Sequence, residues 1–269
     1  MTQTLVHTPV GSLAVRVVGS GPPAVLWHSL FMDGRSWERV ERDLAEQRRL
    51  VSITGPGHGQ SSDADHRYSM EDCARAATAV LDSLDIGEPV DWVGNAWGGH
   101  VGIIFAATWP ARCRTLITIG TPVQAYDTRG RLETMVLLVL FRLVGPAQFI
   151  VKGVIDTMVS PTTRASDPDA VRLVRDGLVN ADRAGLANAV NSISLHRRDL
   201  SPLLPQVTAP TLFITGADHK GWTPQQARDY SQLLPNGSAA IVADAAYLPP
   251  MEAPEETMRL ISQFWAAHD

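Results

Sequence analysis

Hydrophobic and polar positions along this chain follow two patterns that predict two kinds of element. Short apolar runs, bounded by Gly, Pro and polar residues, predict buried β-strands. They cover residues 13–18, 24–28, 50–54, 90–94, 116–119, 211–215 and 239–242. Between them, apolar residues recur at helical spacing, as in residues 70–84, 98–109 and 254–265. Strands that alternate with helices predict a parallel sheet covered by helices on both faces.

The strand pattern stops at Pro122 and resumes at Pro210. The stretch between them has no strand pattern, but apolar helical segments lie around residues 132–143, 149–158, 170–179 and 186–195. We therefore predict a sheet domain made of residues 1–122 and 206–269, with a helical cap of residues 123–205 inserted after the sixth strand. The apolar side chains of the cap either line a pocket for an apolar ligand or pack against one another.

Composition and charge limit the classes of partner. The chain has 269 residues, of which 45% are hydrophobic and 19% charged, as expected for one globular domain with an insertion. The formal net charge is −5, and the Lys and Arg residues are scattered, which argues against a nucleic-acid partner. Composition therefore excludes one class of partner, and the small-molecule ligand that we expect follows from the pocket predicted between the sheet domain and the cap.

The N-terminal residues and the cysteines bear on location. The N-terminus lacks the basic and apolar regions of a signal peptide. The longest dense apolar run, residues 135–141, is far shorter than the roughly 20 residues that cross a bilayer, so no membrane association is expected. Cys73 and Cys113 form no CxxC motif, and no His/Cys cluster has zinc spacing. We expect a reduced, cytoplasmic protein with no metal and no cofactor.

A sharp turn between a strand and a helix is the most specific motif. Residues 91–100, DWVGNAWGGH, end a strand, turn and open a helix. Gly94 and Gly98 allow the close backbone contacts that such a strained turn needs, which aims Ala96 at the top of the sheet. The segment resembles the nucleophile elbow of α/β-hydrolases, with Ala96 in place of the reactive serine.

Two further segments resemble the same family. Residues 26–30, LWHSL, resemble the turn after the third strand, which implies an oxyanion hole formed by the Leu30 and Trp97 N–H groups. His28 braces this turn or, with Ser29 and Trp97, contacts the ligand. The loop of residues 55–61, GPGHGQS, resembles the family's D-x-P-G-H-G-x-S run, with Thr54 at the aspartate. We assign structural roles to His58 in that loop and to His100 after the elbow.

The last two motifs concern the other members of a catalytic triad. Residues 209–219, APTLFITGADH, resemble the family's P-T-L-x-x-x-G-x-x-D run, and the match places Asp218 at the triad acid. Residues 244–254 resemble the run that carries the triad histidine, and Tyr247 stands at that histidine. A hydrogen bond from Tyr247 to Asp218 is expected, because a buried phenol needs a partner. The chain is thus identified as a member of the α/β-hydrolase family, which implies an eight-stranded, mostly parallel sheet flanked by helices.

The departures from the triad exclude the usual chemistry. Alanine has no lone pair with which to attack a carbonyl, and a phenol with a pKa of about 10 is a poor base near neutral pH. Loss of the histidine as well as the serine favours natural divergence over an alanine engineered into an ordinary hydrolase.

Three functional classes stay open. The favoured one is binding of a small, apolar, carbonyl-containing ligand with non-hydrolytic acid/base chemistry of the isomerase or epimerase type, for which a triad-less peptide epimerase of this fold is a precedent by resemblance. The second is a catalytically dead binding or scaffold protein. The third is a hydrolase with a remodelled mechanism, such as water activated by Asp218.

Overall fold

The computed structural model describes residues 2–269 and contains one eight-stranded sheet. The strands are β1 (Thr2–Thr8), β2 (Gly11–Val18), β3 (Pro23–Trp27), β4 (Arg49–Ile53), β5 (Val90–Asn95), β6 (Cys113–Ile119), β7 (Thr211–Gly216) and β8 (Gly237–Val242). Their spatial order is β1-β2-β4-β3-β5-β6-β7-β8. β2 pairs antiparallel with β1 and with β4, and every other pair is parallel. The predicted mostly parallel, eight-stranded sheet is therefore confirmed.

The helices follow the alternation that the sequence predicts. They are α1 (Glu38–Ala45), α2 (Met70–Ser83), α3 (Trp97–Thr108), α4 (Thr128–Val144), α5 (Gln148–Met158), α6 (Pro161–Ser166), α7 (Pro168–Val179), α8 (Arg183–Ala189), α9 (Pro224–Ser231), α10 (Pro249–Glu252) and α11 (Pro254–Ala266). α4 to α8 all lie between β6 and β7, and we call residues 120–210 the helical insertion. No helix in residues 2–269 is long and apolar enough to cross a membrane.

Both faces of the sheet are buried, and β3 contributes to both apolar clusters because its successive side chains point to opposite faces. On β3, Val25 and Trp27 belong to the apolar cluster on one face, while Ala24 and Leu26 belong to the cluster on the other. A strand covered on both sides reads as a continuous apolar run, which is why β3 is visible in the sequence.

Some elements escape the hydrophobic pattern. The predicted strands do not include β1, because it is an edge strand that is rich in Thr and pairs only with β2. The predicted helix over residues 186–195 is two pieces, α8 followed by a π-helical segment, Val190–Leu195. Such π-helical turns are rare and are frequent at functional sites.

Candidate functional site

The turn between β5 and α3 is a strained elbow centred on Ala96. Ala96 has φ +47° and ψ −99°, a region that side-chain-bearing residues occupy at a cost of about 1–3 kcal/mol. Its N–H donates to the Ile119 carbonyl oxygen at 2.7 Å, which ties the elbow to β6. A Cβ at Gly98 would lie 2.0 Å from the Trp27 carbonyl oxygen, so only glycine fits beside the elbow.

A cavity of about 870 Å³ lies beside this elbow. Residues of the sheet domain that line it include Ser29, Leu30, Ala96, Trp97, Lys220 and Tyr247. The helical insertion contributes Tyr126, Leu137, Phe141, Ile150, Ile193 and Arg197 among others. The volume is at the upper end of the range for small-molecule sites, and most of the lining side chains are apolar.

The backbone donors expected for an oxyanion hole meet this cavity. Leu30 and Trp97 both line it, and neither N–H donates to an acceptor within residues 2–269. The Trp97 indole is 1% exposed and packs edge-on against Trp27 and His28, with ring centroids 5.6 Å apart in each pair. The backbone N–H of Trp97, rather than its ring, is therefore the group that can meet a guest.

His28 braces the turn after β3 and does not line the cavity. Its Nε2 accepts from the Gly55 N–H at 2.9 Å, so Nδ1 carries the proton and donates to the Ser29 carbonyl oxygen at 2.7 Å. Burial lowers the pKa of His28, and the ring is neutral. Both ring nitrogens are used in the bracing role, which supports the structural alternative for His28, and its contact with a ligand stays a prediction.

The structure places Asp218 away from the cavity. Its side chain is exposed, does not line the cavity and accepts no hydrogen bond from residues 2–269. The expected hydrogen bond between Tyr247 and Asp218 is therefore wrong. The ring that faces Tyr247 is that of His219, which is 2% exposed and lies with its centroid 3.8 Å from the Tyr247 centroid.

The sequence held the signal that identifies His219. In the run G-x-x-D the acid is the third residue after the glycine, and the third residue after Gly216 is His219. Asp218 is one residue too early, and its N–H is used instead to donate to the Ala245 carbonyl oxygen at 3.0 Å. His219 rather than Asp218 thus stands beside the residue at the histidine position.

The surroundings of His219 keep its ring neutral. Nδ1 accepts from the Trp222 N–H at 2.9 Å and from the Gly221 N–H at 3.1 Å, so the proton is on Nε2. Nε2 is buried and has no hydrogen-bond acceptor in the described chain. Burial lowers the pKa of His219 to about 4. An uncharged ring cannot do what a triad carboxylate does, which is to stabilise a positively charged neighbour.

Tyr247 is positioned by its backbone and keeps its proton. Its N–H donates to the Met158 carbonyl oxygen at 3.2 Å, and its carbonyl oxygen accepts from Asn95 Nδ2 at 2.9 Å. Burial raises the pKa of the Tyr247 hydroxyl well above its usual range, and the positive charge of Arg197 acts in the opposite direction. Tyr247 therefore offers the cavity a neutral hydroxyl that can donate a hydrogen bond.

The other two histidines near the elbow hold backbone in place. His100 Nε2 donates to the Pro122 carbonyl oxygen at 2.7 Å, and His58 Nδ1 lies 2.9 Å from the Pro56 carbonyl oxygen. Burial lowers the pKa of each to about 3. Across residues 2–269, no group of three or more His, Cys, Asp or Glu side chains is arranged to hold a metal ion.

Comparison with known proteins gives the family. A family model described as alpha/beta hydrolase fold matches residues 22–253. The chain is 24% identical to 2-(acetamidomethylene)succinate hydrolase of Mesorhizobium japonicum over 257 residues, 94% of this chain and 91% of the relative. It is 26% identical to pimeloyl-[acyl-carrier protein] methyl ester esterase of Photobacterium profundum over 260 residues, 94% of this chain and 98% of the relative.

Solved structures show the same fold. A thermophilic esterase from Thermogutta terrifontis superposes with a TM-score of 0.93 at 23% identity, covering 100% of both chains. The enol-lactonase from Burkholderia xenovorans LB400 superposes with a TM-score of 0.88 at 22% identity, covering 98% of this chain and 100% of the other. The strand order, the elbow and the family match agree, and the chain belongs to the alpha/beta hydrolase fold family.

Proposed function

We propose that this protein binds a small, largely apolar, carbonyl-containing ligand in the cavity and isomerises it by proton transfer without hydrolysis. The observation that carries the proposal is the set of groups around the elbow. Two backbone N–H donors that have no acceptor within residues 2–269, a protonated phenol and the Ala96 methyl group all line the same cavity. Such a site can stabilise negative charge on an oxygen but offers no hydroxyl at the elbow to acylate.

The chemistry that fits these groups is a shift of one proton within the ligand. The ligand oxygen takes the place of the oxyanion between the Leu30 and Trp97 N–H groups. In one concerted step the Tyr247 hydroxyl gives its proton to the enol carbon, where the C=C electron pair forms the new C–H bond, and the same tyrosine oxygen takes the enol proton as the C=O bond forms. Atoms and charge balance, because the enol becomes the ketone and Tyr247 is regenerated. The nearby positive charge of Arg197 stabilises the partial negative charge on the Tyr247 oxygen during the step.

Binding without chemistry is the second candidate, and the low pKa values of His100 and His219, about 3 and about 4, favour it because they make both rings weak bases. A remodelled hydrolase with Asp218 as the base is disfavoured, because Asp218 is exposed and outside the cavity lining. Two relatives are named as a hydrolase and an esterase. Hydrolysis through a serine at the elbow is not open to this chain, because Ala96 has no hydroxyl.

The test uses phenylpyruvate, an aromatic carbonyl compound whose enol form is followed by its ultraviolet absorbance. We expect the protein to accelerate the loss of the enol, and we expect Tyr247→Phe to lose at least about ten-fold in kcat/KM because general acid catalysis is worth ~10²–10⁴. Tyr230→Phe is the matched control, since Tyr230 does not line the cavity. Full activity in Tyr247→Phe excludes the proton transfer, and absence of any acceleration leaves binding as the function.

A fluorophosphonate probe tests the non-hydrolytic half of the proposal. Position 96 has no hydroxyl, so we expect no covalent adduct at stoichiometric probe and no turnover of p-nitrophenyl esters above the buffer rate. An adduct mapped by mass spectrometry to any cavity residue would show that a different nucleophile operates.

A further inference from the structure

Two cationic residues line the cavity and form no ion pair within residues 2–269. Arg197 follows the π-helical segment Val190–Leu195, and Lys220 lies in the loop after β7. The neighbouring Arg198, by contrast, pairs with Glu71 at 2.6 Å. The acidic residue in the lining, Glu133, is exposed and already pairs with Arg129 at 2.8 Å. The cavity therefore has more positive charge than the protein itself compensates.

The Arg197 guanidinium is held in place by an aromatic ring, but its Nε has no hydrogen-bond acceptor among the described residues. Its central carbon lies 4.3 Å from the centroid of the Tyr126 ring, a cation–π contact that restricts the side chain. Its Nε is buried and has no acceptor among the described residues. Buried polar groups are nearly always paired, and a half-buried charge without a partner is costly. The arrangement is explained if an acceptor comes from the ligand.

The groups that face Arg197 are neutral. Its charge contributes to lowering the pKa of His100 and counteracts the rise in the pKa of Tyr247, so its field reaches both of these cavity residues. Tyr126 offers the guanidinium an aromatic face and no carboxylate. No carboxylate among the lining residues is placed to neutralise the guanidinium.

We infer that Arg197 binds a carboxylate of the ligand, and that the ligand is a carboxylic acid with an apolar body. The inference rests on the proposed ligand site and names the ligand's class. A guanidinium is a planar fork that matches a carboxylate with two parallel hydrogen bonds. The lining from Leu137, Phe141, Ile150 and Ile193 accepts the hydrocarbon part. Lys220, exposed in the loop after β7, adds positive charge that attracts an anion.

The test compares decanoate with decan-1-ol, which differ in charge but share the alkyl chain. Dissociation constants are measured by isothermal titration calorimetry for the unaltered protein, Arg197→Met and Arg198→Met. We expect the unaltered protein to bind decanoate about ten-fold more tightly than the alcohol, since a hydrogen bond to a charged group is worth that much. Arg197→Met should lose this preference and keep the affinity for decan-1-ol, which shows that the variant is folded. Arg198→Met, a matched surface change, should keep the preference.

Three outcomes overturn the inference. They are equal affinity for the two compounds, a preference that survives in Arg197→Met, and binding of neither compound. The result is separable from that of the proposed function, because binding is measured without turnover. Preference for decanoate together with inactivity toward phenylpyruvate rejects only the isomerase. Activity toward phenylpyruvate without the preference rejects only the role of Arg197.

Discussion

Three side chains at the site have mutually consistent properties. Ala96 has no hydroxyl, Tyr247 keeps its proton, and the neutral ring of His219 packs against the Tyr247 ring. A triad needs its carboxylate to stabilise the imidazolium that forms after proton transfer. With no imidazolium to stabilise, a neutral His219 with Nδ1 accepting two backbone N–H bonds is compatible with the site.

Rebuilding a triad requires all three positions. We expect Ala96→Ser alone to give no efficient esterase, because a serine without an adjacent base is a weak nucleophile. The double variant with Tyr247→His adds the base but lacks the acid beside it. Adding His219→Asp should raise kcat/KM for p-nitrophenyl acetate at least about ten-fold over the double variant, because the new carboxylate accepts the Gly221 and Trp222 N–H groups and orients the histidine.

The control for the triple variant is Asp218→Asn in the same background. It should leave kcat/KM unchanged, since the Asp218 side chain is exposed and outside the cavity lining. A loss as large as the one caused by leaving out His219→Asp would return the acid role to Asp218.

At the scale of elements, the elbow depends on close backbone packing between β3, β5 and α3. We expect Gly98→Ala to lower the free energy of unfolding by about 3 kcal/mol or more, on the order of the overpacking cost when backbone cannot yield. The added methyl would overlap the Trp27 carbonyl oxygen. Urea denaturation measures the change.

Gly153→Ala is the matched control for that substitution. Gly153 lies inside α5, and a Cβ built there meets nothing within 4 Å. The change should therefore raise the free energy of unfolding by about 0.5–1 kcal/mol, the usual gain in a helix interior. Equal effects at the two glycines would mean that the close approach at the elbow is relaxed in solution.

Replacing Ala96 with glycine should not destabilise the protein, although the same replacement at an ordinary helical alanine does. Ala96→Gly relieves a backbone conformation that costs about 1–3 kcal/mol, which offsets the greater entropy of glycine in the unfolded chain. We expect stability in urea to stay the same or rise by about 1 kcal/mol. Ala107→Gly in the last turn of α3, where the backbone is helical and unstrained, should lower it by about 0.5 kcal/mol. If both changes destabilise equally, Ala96 is not strained.

Local sequence was sufficient for the elements but not for every partner at the site. The elbow could be predicted because Gly94 and Gly98 are needed by close contacts at the turn itself. The sequence predicts Asp218 as the neighbour of Tyr247 because its carboxylate offers the expected chemistry. The structure has the next residue, His219, in that place. Arg197 was missed altogether, because its contact with Tyr126 and the lack of a carboxylate partner within residues 2–269 exist only in the folded chain.

In the whole molecule, the site residues gather because parallel strands end at one edge of the sheet. Leu30 follows β3, Ala96 follows β5, Lys220 follows β7 and Tyr247 follows β8, and all four line the same cavity. Open α/β sheets bind ligands in the crevice outside the carboxyl ends of their strands. Arg197 and the apolar side chains of the helical insertion supply the other wall. The sheet thus presents polar groups to a ligand, and the insertion presents apolar surface and the unpaired charge of Arg197.

Stability of the whole molecule should depend on pH through its buried neutral histidines. Burial lowers the pKa of His28, sets those of His58 and His100 at about 3, and sets that of His219 at about 4. An unfolded histidine has a pKa of about 6.5, so below that pH the unfolded chain takes up protons that the folded chain refuses. Stability is therefore full above about pH 6.5 and falls as the pH drops toward about 4, before most carboxylates titrate.

His58→Asn isolates one of these contributions. The asparagine Nδ2 can take the place of Nδ1 beside the Pro56 carbonyl oxygen, and the side chain does not titrate. Between pH 7 and pH 5 the free energy of unfolding of the unaltered protein should fall by about 2 kcal/mol more than that of His58→Asn, the linkage expected for one group shifted from 6.5 to about 3. Urea denaturation at the two pH values measures this difference. His7→Asn, at an exposed histidine, should track the unaltered protein, and a His58→Asn curve that also tracks it would mean that His58 is protonated in the folded state.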